Sequence, residues 1–377
     1  MAFISMLQDF DKHIPLVGDL THKSPLGFQL SRGLIEGFNA LQLAIVEVYI
    51  NGVEIPNFVL QGIMDTCMPI LIKFLPSLFV PYEWVLEETE HLAEGSHELI
   101  KIQYNLPQKM FSLMLGDGPL IYPKYTVGLW EKGALNLEQA QTQMIDDMIE
   151  KVGIKDGDRI LEIGCGWGCV ANYILSKFPN IEFTGLNLSG EQCKYIRRRI
   201  QDQESYLSSP RFMLYEQDFN DIEFDQKFDV IFSLGVFEHI GNLTKSFSKL
   251  ASFLKDDGYV FTHIMTIRAT NNISSVFTHK YIFSHGRLWN YDAIPAHNQD
   301  LKTIKRWYIN GMNYSRTFAS WLNNFDKYQA EISTLDYGCD YAKFRRIWRL
   351  YLLWFSRNFA IWDIHLVALF AVWSGFT

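Results

Sequence analysis

At 377 residues the chain exceeds one ordinary domain and fits one large domain or two modest ones. Hydrophobic residues make up 48% and charged residues 20%, so a sizeable core can form and global disorder is excluded. The net charge of −8 argues against nucleic-acid binding, and five cysteines without a CxxC pair argue against a disulfide framework or a thiolate zinc site. That cysteine usage suits a reducing cytosol, and the first twenty residues do not read as a signal peptide, so a cytoplasmic protein is expected. Aromatic residues reach 15%, which suits a π-lined cavity, although core packing accounts for most of them.

Residues 1–100 carry no chemical motif. Leu30–Ile50 and Ile63–Leu78 have helix-like apolar spacing, so this part is expected to be a helical N-terminal domain, with Glu83–Glu98 an acidic helix or linker. From Leu137 the pattern alternates. Strands are predicted at Arg159–Ile163, Ile181–Leu186, Arg211–Tyr215, Phe228–Ser233 and Tyr259–Met265. Helices are predicted at Leu137–Val152, Cys169–Phe178, Ser189–Gln201 and Leu243–Leu254. Such βαβ spacing describes an α/β fold with a doubly wound, mostly parallel sheet. Asp156-Gly157 and Asp257-Gly258 read as turns before strands. After Met265 the strand rhythm stops, which predicts a cap inserted over about 266–314. Helices return at Ser315–Gln329 and Tyr341–Phe359, and Ile361–Trp373 reads as a last strand. Neither Ile63–Val80 nor Ile361–Trp373 makes a membrane span.

The sharpest motif is Leu161-Glu162-Ile163-Gly164-Cys165-Gly166-Trp167-Gly168, which follows a strand and opens a helix. Glycines there let the chain turn tightly and let a ligand approach the backbone. The spacing is not the dinucleotide G-x-G-x-x-G, and the second strand ends at Asn187 without a carboxylate for a ribose. There is no P-loop pattern. The third strand is followed by Asp218-Phe219, which can hold an adenine by hydrogen bond and stacking, or can simply cap a helix.

At these residues the chain resembles the S-adenosylmethionine-dependent methyltransferases of the cyclopropane-fatty-acid-synthase superfamily, which includes mycolic-acid-modifying and coclaurine N-methyltransferase-like enzymes. The resemblance covers roughly residues 101–377. It rests on the glycine loop, Gln103-Tyr104-Asn105-Leu106-Pro107, Tyr125-Thr126-Val127-Gly128-Leu129-Trp130, Asn187-Leu188-Ser189-Gly190-Glu191-Gln192, Phe237-Glu238-His239-Ile240-Gly241, and Gly311-Met312-Asn313-Tyr314-Ser315-Arg316-Thr317 with Trp321. It implies a class I methyltransferase fold of Rossmann type. It also implies S-adenosylmethionine held by Glu162, Gly164, Cys165, Gly166 and Gly168, with Tyr125 and Thr126 at its methionine part. Asn187, Leu188 and Gln192 would serve the ribose, and Asp218 and Phe219 the adenine. Glu238, His263 and Tyr314 fall where cyclopropane synthases hold a bicarbonate ion. Glu238 and His239 fall where N-methyltransferases place an acid/base pair. Three positions depart: Thr126 replaces the signature serine but keeps a hydroxyl, Val127 replaces the signature cysteine, and Gly235 stands where N-methyltransferases carry another acid.

Methyl transfer from a sulfonium needs alignment and a dry site rather than a metal. Two acceptor classes stay open. A small hydrophobic amine must lose a proton first, which suits Glu238 and His239. An unsaturated acyl chain of a phospholipid would leave a carbocation, which suits a bicarbonate base at Glu238, His263 and Tyr314. The residues from Ser284 to Asn310 follow neither branch throughout, and within them Asn298-Gln299-Asp300 through Arg306-Trp307 looks more like the amine branch. A scaffold that binds the cofactor without catalysis is the non-enzyme alternative. The basic residues Lys343, Arg345, Arg346, Arg349 and Arg357 form either a salt-bridged helix or a face for peripheral contact with an anionic membrane.

Overall fold

The computed structural model describes residues 40–41, 43–74, 88–93, 104, 106–267, 276–283, 286–290, 293–361 and 364–373. An eight-stranded sheet forms the centre. Strand β1 (Arg159–Ile163) lies between β2 (Glu182–Asn187) and β4 (Phe228–Leu234), with β3 (Phe212–Glu216) outside β2 and β5 (Leu254–Ile267) outside β4. These neighbours all pair in parallel, and β6 (Trp289–Asn290) adds a short parallel pairing to the end of β5. The pairs formed by β7 (Leu301–Ile309) with β8 (Ile364–Trp373) and by β8 with β5 are antiparallel. The order β3-β2-β1-β4-β5-β8-β7 is therefore doubly wound and mostly parallel, as the alternating pattern predicts.

Helices α1 (Asn57–Phe74), α2 (Gln108–Leu115), α3 (Leu137–Val152), α4 (Cys169–Lys177), α5 (Gly190–Ile200) and α6 (Leu243–Phe253) precede β5 or lie against the sheet. Beyond it come α7 (Val276–Tyr281), α8 (Ala293–His297), α9 (Met312–Lys327), α10 (Gln329–Ile332) and α11 (Tyr341–Ile361). Central strands are covered on both sides, so their apolar runs are continuous, and alternation sorts them between two cores. Ile160, Phe232 and Phe261 join one core; Leu161, Ile231 and Val260 join the other. Short polar residues set the helix starts. Asn136 caps α3, Ser189 caps α5 and Asn242 caps α6, each accepting from a backbone N–H three residues on.

Two expectations are corrected, and of two readings left open for α11 the salt-bridged helix is the one found. The strand rhythm does not stop over the whole of 266–314, because Leu301–Ile309 is a sheet strand. Its ends Leu301 and Ile309 are buried while Lys302, Lys305 and Arg306 are not, so an edge strand looks like loop in sequence. Asp257-Gly258 is not a turn before β5 but part of it: pairing with β4 jumps from Leu254 to Tyr259, so the intervening residues bulge out. The arginines of α11 do not form a free basic face. Arg349 donates to both carboxylate oxygens of Asp326 at 2.6 Å and to Asn57 at 2.7 Å; Arg357 pairs with Asp65, and Arg346 bonds the Ile50 carbonyl at 3.0 Å. They tie α11 to α9 and to the N-terminal helices. Residues 83–87 and 94–98 of the expected acidic linker lie outside the described residues. Among the described residues no helix is long and apolar enough to cross a membrane.

Candidate cofactor and active site

The loop after β1 opens the site. Gly164 and Cys165 both donate to the Leu186 carbonyl, at 2.9 and 3.0 Å, which pins the loop to the end of β2. Gly166 has φ +54°, and a Cβ there would enter open space, so the backbone forms one wall of a cradle. That cavity is lined by Tyr125, Thr126, Glu162, Gly164, Cys165, Gly166, Asn187, Leu188, Gln192, Asp218 and Phe219. Gly168, expected with them, is not on the wall. It sits at the N-terminus of α4 with φ +77°, where a Cβ would press on Leu207 Cδ1 at 2.9 Å. Its need for glycine is backbone geometry and packing.

The cavity has distinct ends. At the β2 end, Asn187 Nδ2 donates to the Gly166 carbonyl at 2.8 Å and to Gln192 Oε1 at 3.1 Å. Both side chains are buried, and the amides are held side by side facing the loop. At the β3 end, Asp218 Oδ1 accepts from the Asn220 backbone N–H and side chain at 2.8 and 2.9 Å, which fixes its carboxylate beside the Phe219 ring. At the floor, Glu162 is buried, and its Oε2 has no hydrogen-bond partner. Burial pushes its carboxyl up to about 8, offset in part by Lys124. A cradle open at Gly166 with an orphaned carboxylate below fits a nucleoside ligand carrying a cationic end.

The chemistry-bearing loop follows β4. Phe237–His239 is a single 3₁₀ turn. Its carbonyls are held by Trp289 Nε1, which donates to Phe237 at 3.0 Å, and by Arg287 N–H, which donates to Glu238 at 2.7 Å. Glu238 Oε1 accepts from the Met265 N–H at 2.7 Å, while its buried Oε2 has no partner. Burial raises the Glu238 carboxyl to about 7. His239 lines the cavity, and its Nε2 lies 3.5 Å from the Tyr104 hydroxyl. Desolvation lowers this ring to about 4, so the imidazole is neutral near pH 7.

Glu238, His263 and Tyr314 are not on the wall of this cavity. Tyr314 lies in an aromatic cluster, 4.8 Å from Phe318 and 4.6 Å from Phe359 between ring centroids. Burial raises its hydroxyl far above the usual range, with Tyr351 and Glu238 adding to the shift. His263 is buried in β5 between Leu234 of β4 and Ala368 of β8. Its Nε2 has no partner, and burial lowers it to about 3 with help from Lys124 and Lys151. Glu238 thus acts on Tyr314 and Tyr104, whereas His263 feels the lysines and Asp147.

Two motifs far apart in sequence meet behind the cavity. Gly128 N–H and Trp130 Nε1 both donate to Thr317 Oγ1 at 3.0 Å, and Trp130 N–H donates to Asn313 Oδ1 at 2.8 Å. The Arg316 guanidinium lies 4.5 Å over the Trp130 ring. The Tyr125 hydroxyl donates to Tyr351 at 2.8 Å, so this side chain lines the cavity with its ring. The cavity also takes in Tyr104, Lys124 and Gln217, which sequence reasoning did not place there. Lys124 had a legible signal: it interrupts an apolar stretch next to the Tyr125-Thr126 signature.

The comparisons with known proteins agree with this geometry. A family model described as mycolic acid cyclopropane synthetase matches residues 92–369. The chain is 28% identical over 256 residues to (S)-coclaurine N-methyltransferase of Papaver somniferum, covering 64% of this chain and 72% of that one. It is 30% identical over 268 residues to the cyclopropane-fatty-acyl-phospholipid synthase of Escherichia coli strain K12, covering 71% of this chain and 65% of that enzyme. A crystal structure of coclaurine N-methyltransferase bound to N-methylheliamine and SAH superposes with a TM-score of 0.77 at 17% identity, covering 88% of this chain and 99% of that one.

Proposed function

The chain belongs to the mycolic acid cyclopropane synthetase family of S-adenosylmethionine-dependent methyltransferases, and from that premise we propose that it methylates the nitrogen of a small hydrophobic amine. One observation carries the choice of acceptor: a neutral imidazole, His239, faces the cavity beside the buried carboxyl of Glu238 and the hydroxyl of Tyr104. S-adenosylmethionine, when bound, supplies an electrophilic methyl group on a sulfonium. Asn187 and Gln192 would hold its ribose hydroxyls, Asp218 and Phe219 its adenine, and Glu162 its charged amino-acid end. A protonated amine is inert as a nucleophile, so it must lose a proton to a base in the site. His239 Nε2 or the Glu238 carboxylate takes that proton. Tyr104 orients the imidazole, and the rings of Tyr104 and Tyr125 exclude water and stabilise a cationic amine.

A second reading rests on His263, whose buried Nε2 has no partner. With Glu238 and Tyr314 it would hold a bicarbonate base for cyclopropanation or methylation of an unsaturated acyl chain. His239 lines the cavity whereas Glu238, His263 and Tyr314 do not, which favours the amine. We further propose that residues 101–377 form the catalytic domain and residues 1–100 a helical N-terminal domain, with the cap over 266–314 reduced by β7. Membrane contact is not assigned to α11, whose arginines are taken up by Asp326, Asp65 and Glu54.

The test is expression in a host that lacks its own cyclopropane synthase. Unchanged phospholipids, together with methylation of an added tetrahydroisoquinoline-type amine, are expected. A gain of one methylene in unsaturated phospholipids without amine methylation would replace this reading with the second.

A further inference from the structure

Lys124 is 4% exposed and stands on the cavity wall between Pro123 and Tyr125. Its backbone is anchored by the buried Gln141, whose Nε2 donates to the Lys124 carbonyl at 3.4 Å and to the Leu115 carbonyl at 3.2 Å. The Lys124 ammonium donates to the Val127 carbonyl at 2.6 Å, the one hydrogen bond it makes among the described residues. An ammonium carries three donors, so this buried group keeps two of them unused. Burying such a charge is costly unless an anion meets it.

Glu162 shares that wall, and the two groups influence one another. Lys124 is not its bonded partner, because Glu162 Oε2 makes no hydrogen bond. The wall therefore presents an amine and a carboxyl, each with an unused bonding site, close to the glycine loop. The amino-acid end of S-adenosylmethionine carries the complementary pair, an α-ammonium and an α-carboxylate. We propose that Lys124 receives the α-carboxylate of the cofactor while Glu162 receives the α-ammonium, so that the pair selects the zwitterionic amino-acid end. The proposal rests on the cofactor and is independent of the acceptor. The bland alternative is that Lys124 only ties the turn at Val127; this would make it a stability residue without any preference among ligands.

Calorimetric titration separates the two. The ligands are S-adenosylhomocysteine, its decarboxylated analogue that keeps the amine, and 5′-methylthioadenosine that lacks both groups. In Lys124→Met, affinity for S-adenosylhomocysteine should fall about 10- to 100-fold, the scale of one charge-assisted hydrogen bond. The decarboxylated analogue and methylthioadenosine should change less than about threefold. The analogue matters because it keeps the ammonium at Glu162, so a general loss at that residue weakens both amine ligands alike. Lys124→Arg should recover part of the preference. If Lys124→Met does not fold, Lys124→Gln is titrated instead, with the circular dichroism of the ligand-free protein as control. Equal losses for all three ligands, or an unchanged preference for S-adenosylhomocysteine, would overturn the proposal.

Discussion

Five buried titratable groups at the site give the ligand-free protein a pH signature. Glu162 and Glu238 are raised by burial to about 8 and about 7 from an ordinary 4.5. A carboxyl raised in the fold contributes stability that is full below the unfolded value and lost as pH climbs through the folded one. His239 and His263 are lowered by burial to about 4 and about 3 from 6.5, so they add stability as pH rises towards 6.5. Lys124, lowered to about 8 by burial, adds stability only above that value. Between pH 6.5 and 8 the carboxyls therefore act alone, Glu238 up to about 7 and Glu162 up to about 8, and thermal stability should fall by at most about 1.4 kcal/mol per pH unit for each within its window. Glu162→Gln should flatten part of that slope in a melting series, and bound S-adenosylhomocysteine should blunt it; an unchanged slope in both cases would refute the assignment. In turnover, Glu238→Gln should lower the rate by about 10²-fold or more while Tyr314→Phe stays mild, the pattern of a base acting on an amine. The reverse order, with a dependence on added bicarbonate, would favour the alkene reading. Of these groups, Glu238 and His239 were legible because they follow an apolar strand, where α/β sheets place ligands. The separate surroundings of His263 were not, because strand register decides them.

At the level of elements, the glycine loop divides into two kinds of position. Gly166 opens onto the cavity, so Gly166→Leu should abolish S-adenosylhomocysteine binding at a folding cost of about 1–2 kcal/mol for its left-handed backbone. Gly168→Leu should instead unfold or distort α4, because its Cβ meets Leu207 and Ile196. Chemical denaturation beside ligand titration checks both, and retained binding in Gly166→Leu would contradict the cradle. The sequence motif treats these glycines alike; only their backbone surroundings tell them apart. Helix α11 teaches a similar lesson. Its basic residues left a salt-bridged helix and a membrane face both open, since composition does not reveal that Asp326, Asp65 and Glu54 stand opposite them. Arg349→Met should lower the urea midpoint by an amount equivalent to about 1–2 kcal/mol, a bidentate pair discounted for its partial exposure. No loss of stability would show that α9 and α11 are held by their aromatic contacts alone.

Over the whole molecule, the parallel half of the sheet was legible because βαβ units repeat a local pattern of apolar strands and amphipathic helices. The antiparallel edge was half legible: β8 is a continuous apolar run, while β7 hides its strand character behind Lys302, Lys305 and Arg306. The links of Trp130 to Thr317 and Asn313, and of Tyr125 to Tyr351, could not be read at all. They join residues some two hundred positions apart, which no local spacing encodes. Those links set the wall between the cofactor cavity and the aromatic cluster of α9 and α11, so the acceptor side is a property of the assembled fold. The central claim is methyl transfer to nitrogen, and one measurement addresses it most directly. The purified protein is given S-adenosylmethionine with a trideuterated methyl group, a tetrahydroisoquinoline-type amine and vesicles of unsaturated phospholipid, and the products are weighed by mass spectrometry. The account predicts an amine that has gained a methyl with all three deuterons retained, and unlabelled lipid. A phospholipid that has gained a methylene with two deuterons, alongside an unchanged amine, would contradict it.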